Sequence, residues 1–197
     1  MNESKVFKSP NAVTIKARTS SITNAFFNGI IPVIQPRPEE INEVLGQLGM
    51  MQTIECAYCG DKYSEWDHLH PLIEDKKPSG YITEIYNLIP SCGKCNQSKG
   101  NKNWKEWMES DARLSPKTRK IKDLKERIER IQKYDEWCER KRTRIDFDKN
   151  CGATNELWKK HNKNLEDLIN KMKEFQETSD KLKKAIEENI DNLRTTK

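Results

Sequence analysis

Cys56-Ala-Tyr-Cys59 and Cys92-Gly-Lys-Cys95 enclose the 32 residues 60–91, and within that insert lies Glu65-Trp66-Asp67-His68-Leu69-His70-Pro71. Each C-x₂-C pair sets two thiolates close enough to share one tetrahedral ion, and two pairs complete a four-thiolate site. The separation is longer than the commonest zinc-ribbon spacing, so a separate element is inserted between the knuckles. A site closed by four sulfurs serves folding rather than chemistry, and it suits a module whose core is too small to hold alone. Cys56, Cys59, Cys92 and Cys95 therefore read as ligands of structural Zn²⁺, a reading that a doublet of pairs favours over unpaired or redox cysteines. Cys138 and Cys151 have no such neighbours; they read as a buried side chain and a loop residue.

The insert carries the reactive groups. Two of the three histidines of the chain are in it. Hydrolysis of a phosphodiester needs a base for water, a hard cation at the phosphate, and positive groups on the backbone. Asp67 offers a hard oxygen to Mg²⁺ or Mn²⁺, and His68 has an imidazole suited to accept a proton near neutral pH. Adjacent strand residues point to opposite faces, so the two serve one phosphate only where a bulge or strand end re-aims one of them. Asn96, after the second knuckle, adds a neutral oxygen. His70 reads either as a phosphate or metal contact or as a strand-end side chain packed beside Pro71. Trp66, Trp104 and Trp107 read as core of the small module ahead of base-stacking platforms.

Together, the two knuckles, Asp67-His68 with Pro71, Asn87-Leu88, and Cys95-Asn96 with Lys99 resemble the HNH, or ββα-metal, endonuclease family over residues 52–104. The resemblance implies a zinc-bound ββα-metal module that cuts nucleic acid with one divalent ion, Mg²⁺ or Mn²⁺. It makes His68 the general base, Asp67 and Asn96 the catalytic-metal ligands, and Asn87 a brace of the loop between the strands. Lys99 and Lys102 become phosphate contacts. Asn96 departs from the histidine that many members carry there, and an amide binds a metal more weakly than imidazole.

Outward from this module the chain turns helical and charged. Hydrophobic and charged residues each make up 34%, a balance that fits a small core with long solvated helices. The net charge is +5, and the whole basic excess falls in residues 111–197, densest in residues 113–144. Such a run suits an anionic polymer such as DNA, or is simply a solvated helix face. Apolar spacing predicts short helices over residues 21–31 and 39–48, the second with Pro38 and two glutamates at its start. Strand-like runs fall at 51–54, 64–66 and 81–85. One helix is predicted over 117–144, a break over 146–154, and a second helix over 155–193. In the last, Trp158, His161, Leu165, Leu168, Met172, Phe175, Ser179, Leu182 and Ile186 repeat with heptad spacing. That seam serves a homodimer through the C-terminal helices or an intramolecular hairpin.

The expected fold class is α+β: a small zinc-bound nuclease module flanked by helices, with a long helical, coiled-coil-like C-terminal region. The expected divisions are residues 1–50 (arm and short helices), 51–110 (nuclease module) and 111–197 (basic helices). No run approaches the roughly 20 apolar residues of a membrane span, and the first ten residues lack a secretory segment. A cytoplasmic location is expected, with no membrane partner. The leading function is site-specific, restriction-like DNA cleavage. The alternatives are a less specific toxin or phage-defence nuclease and a non-catalytic zinc-ribbon DNA-binding or coiled-coil adaptor; the adaptor leaves Asp67, His68 and Asn96 without a task.

Overall fold

The computed structural model of the protein describes residues 10–147, 149 and 155–195. It mixes helices with two small sheets. The chain divides into two compact units, residues 27–152 and residues 1–26 with 153–197. Cys151 and the glycine of the expected break, Gly152, lie outside the described residues.

In the first unit, α2 (Pro38–Gln47) starts with proline at its first turn, and Glu40 accepts the Arg37 amide at 2.8 Å. Its apolar face buries Val44 and Leu45. Gly49 ends it in the left-handed region at φ 68°, which lets the Met50 amide return to the Leu45 carbonyl. The central sheet pairs β1 (Glu65–His68) with β4 (Leu88–Ser91), antiparallel, with Glu65 opposite Ser91 and His68 opposite Leu88. The 81–85 run supplies only isolated bridges, and 51–54 forms no strand. The strand that pairs with β1 begins three residues later and holds Pro90, which masks it in the sequence. A second hairpin, β2 (Ile73–Glu74) with β3 (Lys77–Pro78), turns through Asp75 and Lys76, both at positive φ.

β4 runs into α3 (Gly93–Lys99), which is followed by α4 (Trp104–Glu109). The helix predicted over 117–144 is shorter: α5 covers Leu124–Glu139. Ahead of it, Pro116 follows a Ser115-centred turn and Lys120 stands at φ 56°, so no helix propagates through these residues. The predicted stripe is real within α5, since Ile128, Ile131, Tyr134 and Cys138 are buried against the knuckles, Ile85, Ile89, Trp104 and Trp107.

In the other unit, α1 (Thr19–Asn28) reaches its boundary, and α6 (Asn155–Thr195) is a single helix of 41 residues, about 60 Å long. Leu165, Met172 and Gln176 are buried, and Gln176 Oε1 accepts the Ile15 amide at 2.7 Å. His161, on the heptad seam, reaches the Phe26 carbonyl at 2.9 Å through Nε2. Beyond Gln176 the seam is open, with Leu182, Ile186, Ile190 and Leu193 exposed. Among the described residues, no helix is long and apolar enough to cross a membrane.

Candidate active site and metal centre

The knuckle turns bring the sulfurs of Cys56, Cys59, Cys92 and Cys95 within 4.8 Å of one another, all four residues buried. Cys59 Sγ and Cys92 Sγ are 3.7 Å apart. A tetrahedral ion with metal–sulfur bonds of about 2.3 Å sets its sulfurs about 3.8 Å apart, so the donor set and its spacing fit zinc. Hydrogen bonds from Cys56 and Cys95 hold the Cys59 thiol far below its ordinary value. The hydrogen bond with Cys59 pushes the Cys56 thiol up to about 12, and Cys95 is pushed up as well by its hydrogen bonds with Cys56 and Cys59.

Two arginines from the basic stretch clasp this centre. Arg119 reaches Cys95 Sγ at 3.4 Å and Asp61 Oδ2 at 2.6 Å. Arg127 donates through Nη1 to Glu55 at 2.9 Å and to the carbonyls of Cys56 and Ala57. Its Nε lies 2.8 Å from Asp123 Oδ2, a charge contact whose angles fall outside hydrogen bonding. Gly60 leaves room for that guanidinium: a Cβ there would lie 2.5 Å from Arg127 Nη2, and the turn itself stands at φ 78°.

Asp67 and His68 take opposite faces of β1. Their pairing with β4 is continuous, without a bulge, and His68 is the last residue of the strand. Asp67 is 4% exposed. Its Oδ2 accepts the Tyr58 hydroxyl at 2.8 Å and lies 3.3 Å from Lys99 Nζ. Burial raises the Asp67 carboxyl, and the Lys99 charge opposes that rise. Lys99 is wholly buried; its ammonium also donates to the carbonyls of His68 at 2.7 Å and Gly100 at 3.2 Å. The side chain expected to touch phosphate is therefore turned inward, between β1 and α3.

His68 is half-buried, and its Nε2 shares a 2.8 Å hydrogen bond with Thr83 Oγ1. Burial and then the Lys99 charge push its imidazole down to about 4, so at neutral pH the ring is uncharged. Asn96 is partly exposed, and its side-chain amide makes no hydrogen bond among the described residues. It stands three residues before Lys99 on α3 and so shares the helix face that meets Asp67.

Asn87 is fully buried. Its Oδ1 accepts the His70 amide at 3.1 Å, and its Nδ2 donates to the carbonyls of His70 and Ile82. The His70 side chain faces α5: Nε2 is 2.8 Å from Asp135 Oδ1, and the ring stacks on Tyr81 at 4.5 Å. Asp135 also accepts from Arg142 at 2.8 Å and from Trp104 Nε1 at 3.0 Å. Burial works to raise the Asp135 carboxyl, but the hydrogen bond and charge of His70, then those of Arg142, hold it down at about 2. Lys102 is exposed and donates back to the Ser98 carbonyl at the end of α3.

Trp104 and Trp107 are core residues at 4% and 1% exposure. Tyr58, Thr83, Arg119, Arg127 and Asp135 belong to the site without having been picked out from the sequence. Only Tyr58 had a local signal, its place inside a C-x₂-C turn. The others reach the site across 15 to 72 residues of chain.

The family model described as HNH endonuclease matches residues 56–102, from the first knuckle cysteine to Lys102. No curated protein and no solved structure matches the sequence.

Proposed function

We propose that residues 56–102 form a metal-dependent HNH nuclease that hydrolyses DNA phosphodiesters, with His68 as general base. The observation that carries this is the pair of environments on β1. A histidine is kept uncharged at the strand end by burial and Lys99, directly beside a buried carboxylate. Two adjacent titratable groups with separated tasks are the mark of acid–base machinery.

In this reading, Thr83 orients the imidazole. When Nε2 carries the proton and donates to Thr83 Oγ1, Nδ1 is left to take a proton from water. Asp67 and Asn96 would hold the catalytic ion, Mg²⁺ or Mn²⁺; an anionic and a neutral hard oxygen suit such an ion. When bound, it would supply neutralisation of charge on the scissile phosphate. Asn87 fixes the His70 backbone, two residues past the base. Lys102 is the exposed cation at the end of α3 and the better placed of the expected phosphate contacts, since Lys99 and His70 are engaged inside. Zinc on the four cysteines holds the module closed. Restriction-like cleavage of both strands would call for two modules acting together.

The test is cleavage of a mixed plasmid pool with Mg²⁺ or Mn²⁺, followed by end mapping. His68→Ala should keep zinc and DNA binding and lose cleavage by about 10²-fold or more. Chelator should abolish the wild-type activity, and added Mg²⁺ should restore it. Near-full cutting by the variant removes His68 as base, and cutting without a divalent ion removes the mechanism. Discrete fragments would mark restriction-like specificity, and a smear the less specific nuclease.

A further inference from the structure

One of the two residues between the first pair of knuckle cysteines, Tyr58, has a polar atom that packing does not require. Tyr58 is fully buried, and its ring meets Trp107 edge-on at 5.2 Å and 86°. A phenylalanine would make the same contact. The hydroxyl, however, is inside the protein and needs a partner, and the partner is Asp67 Oδ2 at 2.8 Å. The ring has little freedom to take its hydroxyl elsewhere. The amides of Cys59 and Gly60 both return to the Cys56 carbonyl, which closes the turn around Tyr58, and the sulfurs on either side belong to the metal centre.

The same Asp67 oxygen also faces Lys99 Nζ at 3.3 Å. Lys99 is itself fixed, because it donates to the His68 and Gly100 carbonyls. The hydrogen bond from Tyr58 and the 3.3 Å approach of Lys99 thus both fall on Oδ2. A carboxylate gripped by one oxygen is restrained in both torsions and presents the other oxygen in one direction.

We propose that Tyr58 is a positioning residue for Asp67: its hydroxyl, carried by the zinc knuckle, shares Oδ2 with Lys99 so that the carboxylate offers only Oδ1 to a divalent cation. This rests on the reading of Asp67 as a ligand of that cation. It gives the four-cysteine centre a second task, that of aiming a ligand nine residues away through one side chain. It also explains why a lysine is buried beside a group meant to bind a cation. Lys99 compensates the carboxylate against the cost of burial from one side and leaves the other oxygen available. Groups that hydrogen-bond a metal ligand commonly change affinity or activity by about 10–100-fold when removed.

The experiment is a Mn²⁺ titration of the zinc-loaded full chain, followed by electron paramagnetic resonance without DNA. Wild type, Tyr58→Phe and Asp67→Asn are compared, and zinc content is measured in each. Tyr58→Phe should keep its zinc and its Trp107 environment, weaken Mn²⁺ binding about tenfold or more, and raise the Mn²⁺ concentration needed for cleavage by a similar factor. Unchanged Mn²⁺ binding in Tyr58→Phe, while Asp67→Asn has lost it, would overturn the proposal. Loss of zinc from Tyr58→Phe would overturn it too, because the hydroxyl would then serve the fold. Unchanged binding in Asp67→Asn would instead remove Asp67 as ligand, a different failure that this variant alone identifies.

Discussion

Residues 113–144 and helix α6 are similarly rich in charge and use it in opposite ways. In the first stretch three of the seven arginines turn inward. The Arg142 side chain is fully buried on Asp135 and Glu139, Arg127 is nearly so on Glu55 and two knuckle carbonyls, and Arg119 spans Asp61 and a cysteine sulfur. On α6 the pairs Lys171–Glu174, Lys183–Glu187 and Lys184–Glu188 keep 60% or more of each side chain in solvent. Exposed pairs of that kind contribute about 0–1 kcal/mol. Removing one partner of a buried pair strands the other and costs about 3–5 kcal/mol. Composition is thus a poor guide to what a charged stretch does. The run that looked most like a nucleic-acid-binding face includes three arginines that clamp the module, while the cations of α6 are the solvated face.

The contrast predicts where the molecule is brittle. The largest effect should come from Cys92→Ser. It removes one ligand of a centre whose binding free energy is also folding free energy, on the order of 10 kcal/mol for structural zinc. Loss of stoichiometric zinc and a change in Trp104 and Trp107 fluorescence should accompany it. A variant that unfolds at the wild-type temperature would show that α5 and its arginines hold the module unaided.

Asp135 tests the clamp at an intermediate scale. Its carboxyl sits at about 2 against an ordinary 3.8, so its contribution is fully present above about pH 4 and is lost as pH falls through about 2, worth about 2 kcal/mol. Asp135→Asn should be less stable than wild type by at least that amount near neutral pH, and denaturation at stepped pH should show the gap narrowing below about pH 4. A gap that widens as pH falls below about 4 contradicts the pairing with His70 and Arg142.

The smallest effect is expected on α6. Leu182 is 61% exposed, so Leu182→Ala should change stability by no more than about 0.5 kcal/mol and leave the mass in solution unaltered. A cost above about 2 kcal/mol, or a fall from dimer to monomer, would show that the seam is covered in solution and that the two stretches are more alike than the single chain shows.

Much of the module was legible because its signals are local. Two residues between cysteines, the Asp-His pair and the period of the apolar stripe are constraints within one turn or one strand. The same applies to Pro38 at the start of α2 and to the stripe of Ile128, Ile131 and Tyr134 within α5. Errors arose where local and distant forces conflict. Pro90 argues against a strand, yet β4 forms because Asp67 and Ile89 pair across the sheet. Residues 117–122 carry helix-compatible side chains, yet Lys120 takes a positive φ as the chain turns to set Arg119 against Cys95.

By itself the sequence determined the chemistry available: four sulfurs at knuckle spacing, a carboxylate beside an imidazole, and a helix that brings Asn96 and Lys99 to one face. These follow from residue identity and short-range geometry. Only the tertiary structure decided which oxygen of Asp67 is taken, that Lys99 is buried, that His70 faces Asp135 rather than solvent, and that the basic run clasps the metal centre. Those outcomes depend on burial and on partners up to 72 residues apart. A side chain's charge is written in its name, but the cost of keeping that charge is set by what folds against it.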